Sequence, residues 1–150
     1  MAEEQSTDDI RKVAMTLDNG IENKDLNTVM SCFADNCEIE LLRQSLYGKA
    51  GVKKWFEWLF KNIRQIKFQP VVIMAEKNIL FEEFIIRARL NSGPEIKSKQ
   101  SEVLVFENEK IKCLRLYFDR LDFADTVTKD PVSKAVVSRV IKKSIEGLTD

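Results

Sequence analysis

Apolar residues recur at helical spacing along the first part of the chain. Ser6 and the acidic residues after it suit a helix N-terminus, and they precede a stripe that predicts a first helix over about 7–22. The stripe consists of Ile10, Val13, Ala14, Leu17 and Ile21. Asp25 is placed to cap a short second helix that ends near 34–36. Together these segments predict a helical hairpin.

A strand and a third helix follow the hairpin. Partial alternation of apolar and polar residues over 37–43 suits a strand. Gly48 then breaks the chain ahead of 49–64, where apolar side chains form a wide helical face: Val52, Phe56, Leu59, Phe60 and Ile63. We therefore expect a third helix in this segment.

Beyond the third helix, apolar residues recur at every second position. Four segments alternate as strands do, and they span about 68–76, 79–90, 96–107 and 111–119. Short polar turns join the first two and the last two, and a Gly-Pro turn links the pairs. Helices followed by consecutive long strands predict an α+β fold, in which a meander forms a strongly bent antiparallel sheet.

The C-terminal segment predicts a further helix over about 130–147. Asp130 suits an N-cap, with Pro131 at the first helical position. The helix has an apolar stripe that needs a cover: Val132, Val136, Val137, Val140, Ile141 and Ile145. Docking on the same domain is the favoured interpretation, and contact with a partner subunit is the alternative.

Length and charge narrow the class of protein. A chain of 150 residues has the usual size of one domain, so we expect a single domain over 1–150. The 24 basic residues balance the 24 acidic ones, which disfavours nucleic-acid and membrane partners. No apolar run of about 18 residues occurs and the start is acidic, so we expect a cytoplasmic location.

No histidine occurs in the sequence, and the cysteines form no CxxC pair. The lack of histidine excludes Ser-His-Asp and Cys-His machinery and His-ligated metals. Cys32, Cys37 and Cys113 form an odd set, which argues against a disulfide framework and a zinc site, and Cys32 and Cys37 are interpreted as small buried residues rather than a redox pair. We therefore expect neither a metal nor a cofactor. Any proton transfer would use Asp, Glu, Tyr, Lys, Cys or water.

Strand parity singles out a few polar side chains. Over 79–90, Glu82 is the lone charge on an apolar face, where a buried carboxylate must be paired, hydrogen-bonded or protonated. The alternative is that Glu82 lies near the strand end and reaches solvent. In the last strand, Arg115, Tyr117 and Asp119 share one face. That face suits either a polar-lined cavity or an exposed ion pair.

Four sequence motifs, taken in order, resemble the SnoaL-like and nuclear transport factor 2-like superfamily. They are Asn23-Lys24-Asp25-Leu26 with Cys32-Phe33-Ala34-Asp35-Asn36, then Leu46-Tyr47-Gly48-Lys49-Ala50-Gly51-Val52, Glu109-Lys110-Ile111 and Leu116-Tyr117-Phe118-Asp119-Arg120-Leu121-Asp122-Phe123. They resemble the family's short second helix, its Gly-initiated third helix, its turn into the last strand and its closing Tyr-Tyr-Asp-Pro-Leu pattern. The resemblance covers 7–125. It implies a cone-shaped α+β barrel, with a curved antiparallel sheet wrapped around the N-terminal helices and a pocket between them.

The resemblance also implies a role for Asp119, which matches an Asp that often points into the pocket of relatives. In polyketide cyclases of this type that Asp acts as acid or base in an aldol-type ring closure. In limonene-epoxide-hydrolase relatives an Asp-Arg-Asp set activates water. This chain departs from the hydrolases, because Arg87-Ala88-Arg89 stands where they have Arg-x-Asp. Glu82 is at best a stand-in for the missing carboxylate.

Three functions compete at this point. The first is a cofactor-independent isomerase, cyclase or hydrolase acting on a small, mostly apolar organic molecule, with Asp119 and Glu82 as the catalytic pair. Arg115 and Tyr117 would bind and orient the ligand. The walls of the site would be Trp55, Phe56 and Phe84. The second function is a binder of such a molecule without turnover, and the third is an assembly module that forms a homodimer through the outer sheet face.

Overall fold

Three helices form the N-terminal part of the computed structural model, which describes residues 6–91 and 93–148. They are α1 (Thr7–Glu22), α2 (Leu26–Ser31) and α3 (Gly48–Asn62). Ser6 caps α1 and Asp25 caps α2, because their side chains accept hydrogen bonds from backbone N–H groups of the first turn. The predicted hairpin and third helix are therefore confirmed, although α2 ends earlier than the sequence suggested.

Six strands form one sheet. They are β1 (Phe33–Leu41), β2 (Gln44–Tyr47), β3 (Ile63–Glu76), β4 (Ile79–Leu90), β5 (Glu95–Glu107) and β6 (Lys110–Phe118). Their order across the sheet is β2-β1-β6-β5-β4-β3. Neighbours are antiparallel, except that β1 and β6 are parallel. The predicted α+β fold with a curved sheet is confirmed.

The beginning and the closure of the sheet differ from the sequence-based expectation. The sheet is mixed and does not close into a barrel, because β2 and β3 are left as its two edges. A single strand was expected over 37–43, but β1 turns back into β2 at Leu42 and Arg43, which have φ values of 51° and 62°. Neither residue is Gly, Asn or Asp, so the hairpin turn has no signal in the sequence.

The helix α1 is fixed to β3 at its C-terminal end. Glu22 Oε1 accepts a hydrogen bond from the backbone N–H of Phe68 at 2.9 Å, and its Oε2 lies 3.0 Å from Lys67 Nζ. The apolar stripe of α1 is buried: Ile10, Ala14, Leu17 and Ile21. These contacts fix Asp18, which lies one turn before Glu22, on the side of the helix that faces the sheet.

The chain after the sheet forms a 3-10 turn (Arg120–Phe123), α4 (Ala124–Val127) and α5 (Pro131–Ser144). The predicted C-terminal helix is thus confirmed. No residue of α5 is buried, and its apolar stripe is exposed: Val132, Val136, Val140 and Ile141. The expectation that this stripe packs on the same domain is wrong, because these side chains are exposed on the surface of the folded chain. No helix within the described segments is long and apolar enough to cross a bilayer.

Candidate active site

The register of the central strands aligns two glutamates on the inner face of the sheet. Glu82 of β4 pairs with Glu102 of β5, which in turn pairs with Leu116 of β6. Glu82 is 3% exposed and Glu102 is 7% exposed. Side chains of a strand alternate between faces, so both carboxylates share the face that the helices cover. The alternative in which Glu82 reaches solvent from a strand end does not hold.

A third carboxylate reaches the same place from α1. Asp18 is partly buried, and one carboxylate oxygen from each of Asp18, Glu82 and Glu102 lies within 4.8 Å of the other two. We call these three residues the acidic cluster. The cluster connects a helix to two strands, so its geometry depends on how α1 crosses the sheet.

Apolar rows flank the acidic cluster on the sheet. One neighbouring row consists of Leu80, Leu104 and Leu114, and each of these is at most 1% exposed. The row on the other side contains Phe84, which is 3% exposed and meets the ring of Phe68 edge to face at 5.5 Å. Three carboxyl groups therefore lie in surroundings that solvate charge poorly.

Burial raises the pKa of every carboxyl group in the acidic cluster. Burial, with repulsion from Glu82 and Glu22, raises the pKa of Asp18 to about 8. Burial raises the pKa of Glu82, and burial with repulsion from Asp18 and Glu82 raises the pKa of Glu102 well above its ordinary value. No ion pair among the described residues joins a lysine or arginine to the cluster. Protons therefore neutralise much of its charge near pH 7.

The acidic cluster is also the set of described residues best suited to hold a metal ion. Carboxylate oxygens are the ligands that Mg²⁺ and Ca²⁺ prefer, and the three groups are close enough together to share one ion. Their raised pKa values mean that protons compete with a cation at neutral pH. The expectation that the protein uses no metal stays a prediction.

A second polar group lies farther along the inner face. Gln100 pairs with Phe84 across the sheet and is 4% exposed. Its Nε2 donates to Ser98 Oγ at 3.2 Å, and Ser98 Oγ donates to Asp122 Oδ2 at 2.6 Å. The Gln100 Oε1 atom is buried and has no hydrogen-bond partner among the residues that the structure describes.

The predicted catalytic pair is divided between two places. Glu82 belongs to the acidic cluster. Asp119 is exposed and caps the 3-10 turn, where its Oδ1 accepts a hydrogen bond from the backbone N–H of Leu121 at 2.9 Å. A catalytic role for Asp119 stays a prediction, and the structure does not place it in the acidic cluster.

The predicted ligand-binding residues of β6 lie on the outer face of the sheet. Tyr117 pairs with Ser101, which pairs with Glu83, and Arg115 pairs with Val103. These rows alternate with the inner row of Glu82, and Tyr117 is 53% exposed. The sheet therefore separates Arg115 and Tyr117 from the acidic cluster. A ligand role for these two side chains stays a prediction, and it would concern the outer face.

The predicted aromatic walls belong to the interior. Phe84 lies next to the acidic row, as described above. Phe56 of α3 is fully buried, and its ring centroid lies 4.5 Å from that of Trp55, which is half-buried. Phe56 also meets Phe33 at 6.2 Å and Phe60 at 6.0 Å, so it is part of the aromatic core under α3.

Sequence reasoning missed Asp18 and Glu102, although both carry a signal. Asp18 follows Ala14 by four residues and precedes Ile21 by three, so it interrupts the apolar stripe of α1. Glu102 has the parity of Leu104 and Phe106 in β5 and is the only charge on that side between Ile96 and Phe106. The alternation along β5 therefore marks Glu102 in the same way as the alternation along β4 marks Glu82.

Two shallow surface depressions lie away from the acidic cluster. The first is between α2, β1 and the β5–β6 turn, where Lys49 Nζ donates to the backbone carbonyls of Met30 and Phe33. The second is at the end of β6 beside Tyr117. Neither is lined by a member of the cluster, so an interior pocket large enough for a ligand stays a prediction.

Comparisons with known proteins agree with this architecture. Residues 14–114 match the family model of the SnoaL-like domain. No curated protein matches the chain in sequence. An LEH-like epoxide hydrolase of Mycobacterium tuberculosis superposes with a TM-score of 0.70 at 16% identity, covering 87% of this chain and 97% of the other. An NTF2-like protein of unknown function from Burkholderia pseudomallei has a TM-score of 0.73 at 15% identity, covering 81% and 98%.

A third similar structure is SalBIII, described as an epoxide hydrolase/cyclase-like enzyme in pyran ring formation of the polyether salinomycin. It has a TM-score of 0.67 at 14% identity, and the match covers 75% of this chain and 92% of SalBIII. Identities this low show a shared fold and no more. The family match spans most of the sequence and agrees with the helices, the mixed sheet and the covered inner face. The chain therefore belongs to the SnoaL-like domain family.

Proposed function

We propose that the protein is a cofactor-independent acid/base enzyme that acts on a small, mostly apolar organic molecule in the interior beneath α1. The observation that carries the proposal is the acidic cluster: three carboxyl groups within 4.8 Å of one another in apolar surroundings, with no basic partner among the described residues. Burying carboxyl groups without a basic partner destabilises the fold, and such groups are often found at functional sites. Grouped carboxyl groups with raised pKa values can supply both a proton donor and a proton acceptor.

The causes of the pKa shifts indicate which of the three carboxyl groups loses its proton most readily. Burial alone raises the pKa of Glu82, whereas neighbouring carboxylates add to the effect of burial at Asp18 and Glu102. Glu82, which lacks this added repulsion, ionises more readily than the other two and acts as the base. Asp18, whose pKa is about 8, and Glu102, whose pKa lies well above its ordinary value, act as acids. The three groups titrate as a coupled set, so these roles describe its dominant protonation state.

Epoxide hydration illustrates the proposed chemistry. Glu82 removes a proton from water as the water oxygen attacks an epoxide carbon, and the carbon–oxygen bond of the ring breaks. Asp18 or Glu102 transfers its proton to the departing oxygen, which yields a diol. Isomerisation of an unsaturated ketone would use the same groups, with Glu82 removing a proton from carbon and an acid returning one. The epoxide hydrolase and the cyclase-like enzyme of similar fold support this choice of reaction class.

The acidic cluster suits this role better than Asp119 does. Asp119 is exposed, and its Oδ1 accepts a hydrogen bond from a backbone N–H of the 3-10 turn, so it lies outside the buried group of carboxyls. Substituting Asp119→Asn therefore separates the proposed site from the site that the family resemblance implies.

The test is turnover of two six-membered-ring probes, cyclohexene oxide and 3-cyclohexen-1-one, by the purified protein between pH 5 and 9. We expect hydration of the first or conjugation of the second above the buffer rate. Glu82→Gln and Glu102→Gln should each lower this rate at least about 100-fold, because general acid/base catalysis contributes on the order of 10²–10⁴. The matched control is Glu83→Gln, which alters the next residue on the outer face.

Three outcomes of this test would contradict the proposal. A rate that falls in Asp119→Asn and not in Glu82→Gln would move the chemistry to the exposed site. No turnover of either probe by the wild-type protein would contradict the enzyme proposal and favour a binder without turnover. Equal rates in wild type and Glu102→Gln would show that the acidic cluster plays no part.

Apolar residues on the outer face favour a second role, a homodimer formed through that face. Val72 and Met74 lie in the rows of Tyr117 and Arg115 and are 41% and 59% exposed. Exposed apolar side chains in adjacent rows are typical of an interface. Sedimentation velocity of wild type and Met74→Glu tests this proposal: we expect a dimer that the substitution dissociates. A wild-type monomer at about 100 μM would contradict it.

A further inference from the structure

Gln100 presents an unused hydrogen-bond acceptor inside the protein. Its side chain is 4% exposed, and Oε1 has no partner among the described residues. Leaving a buried acceptor unpaired is unfavourable, because the atom loses its hydrogen bonds with water and gains none in return. Most native buried polar atoms are paired, so an exception needs an explanation such as a missing ligand or an ordered water.

A chain of hydrogen bonds fixes the orientation of the Gln100 amide. Ser98 has one hydroxyl proton, and the 2.6 Å contact with Asp122 Oδ2 uses it. Ser98 Oγ can then only accept from Gln100, so the amide must turn its NH₂ group toward Ser98. Rotating the amide by half a turn would set two acceptors against each other. The oxygen of Gln100 therefore points away from Ser98, because Asp122 accepts the only hydroxyl proton of Ser98.

Gln100 lies next to the acidic cluster on the inner face of the sheet. Gln100 and Glu102 are two residues apart in β5, so they point to the same face in adjacent rows. Phe84 and Phe118 flank Gln100 on the neighbouring strands. An unpaired acceptor with aromatic neighbours thus lies one row from the grouped carboxyl groups.

We propose that Gln100 Oε1 accepts a hydrogen bond from the substrate, and that the substrate is an apolar molecule carrying a hydroxyl group or another N–H or O–H donor near its reacting atoms. The proposal rests on the proposed function for the location of the reaction. Gln100 acts as a specificity-determining residue, and Ser98 and Asp122 position it. A site built in this way rejects an analogue without the donor, because the acceptor then stays buried and unpaired.

The test compares the binding of cyclohexanol and cyclohexanone to the ¹⁵N-labelled protein by NMR titration. The two probes have similar size, but only the alcohol has a donor. We expect the wild-type protein to bind the alcohol about 10-fold more tightly, which corresponds to one hydrogen bond of ordinary strength. Gln100→Met keeps the length of the side chain without the acceptor, and it should abolish the preference. Ser101→Ala, an outer-face neighbour, is the control and should retain it.

The melting temperature and a second variant show whether a lost preference is due to the missing acceptor or to misfolding. Gln100→Met should leave the melting temperature of the free protein unchanged or raise it, because it removes an unsatisfied group. Should this variant fail to fold, Ser98→Ala frees the amide to rotate and should reduce the preference. Equal affinity for the two probes, the same preference in Gln100→Met, or no binding of cyclohexanol to the wild type would overturn the proposal.

The outcome also separates this proposal from the proposed function. A preference for the alcohol without turnover of the ring probes would leave Gln100 as the recognition residue of a binder and would refute acid/base catalysis. Turnover that depends on the acidic cluster, without a preference for the alcohol, would refute only the role of Gln100.

Discussion

Glu82 and Glu83 are adjacent in the sequence but lie in different surroundings. Glu82 faces the interior and has a raised pKa, whereas Glu83 faces outward and pairs with Lys99 at 3.0 Å. Strand parity was sufficient to single out Glu82 from the sequence. Parity does not say which helix covers a strand, so Asp18 could not be assigned as its neighbour from the sequence alone. Face assignments along one element are thus predictable, and contacts between distant elements are not.

Stability should depend on pH through Asp18. The folded protein holds the Asp18 proton up to about pH 8, whereas the ordinary pKa is 3.8. This group therefore stabilises the fold most below about pH 4, and the contribution is lost as pH rises toward 8. Asp18→Asn removes the ionisation, so at pH 9 it should raise the free energy of unfolding by at least about 1 kcal/mol, or about 2–4 °C in Tm.

Thermal melts of wild type, Asp18→Asn and Glu83→Gln from pH 5 to 9 check this prediction. The advantage of Asp18→Asn should grow with pH, and Glu83→Gln should follow the wild type throughout. A wild-type Tm that rises from pH 5 to 9, with Asp18→Asn parallel to it, would mean that Asp18 is not protonated in the folded state near neutral pH.

At the scale of elements, the helices and the four long strands are predictable because each has a strong local pattern. The parallel pairing of β1 with β6 is not, because it joins segments about 75 residues apart and leaves no periodic trace. The hairpin turn at Leu42 and Arg43 likewise lacks the usual turn residues. The position of α1 on the sheet depends on its buried apolar stripe and on the contacts of Glu22 with β3, and no sequence pattern indicates the contacts of Glu22.

Glu22 should stabilise the fold mainly by accepting the hydrogen bond from the backbone N–H of Phe68, and less by its ion pair with Lys67. Glu22→Gln can still accept from the N–H of Phe68 and loses only the pair with Lys67, which is solvent-exposed, so its cost should be within about 1 kcal/mol. Glu22→Leu leaves the N–H without this acceptor and should cost about 1–3 kcal/mol. Urea denaturation of the two variants measures the difference, and equal losses would contradict the role of the backbone contact.

At the scale of the whole molecule, the SnoaL-like fold brings one helix and two strands together around carboxyl groups that are far apart in sequence. The family resemblance indicated Asp119 as the acid/base residue, but the structure places that side chain at an exposed turn and groups Asp18, Glu82 and Glu102 beneath the helix. The fold could be predicted because it repeats a known order of elements. The grouping of Asp18, Glu82 and Glu102 depends on contacts between elements that are distant in sequence, which no local pattern records.

The central claim is that the acidic cluster holds protons near neutral pH. Carboxyl-carbon NMR titration of ¹³C-labelled wild type and Glu82→Gln from pH 3 to 10 tests it most directly, because each side-chain carboxyl reports its own ionisation. We expect Asp18 to titrate near pH 8, coupled to the other two groups, and its pKa to fall in Glu82→Gln, which removes the repulsion from Glu82. Independent titration of all three groups near pH 4 would contradict the account.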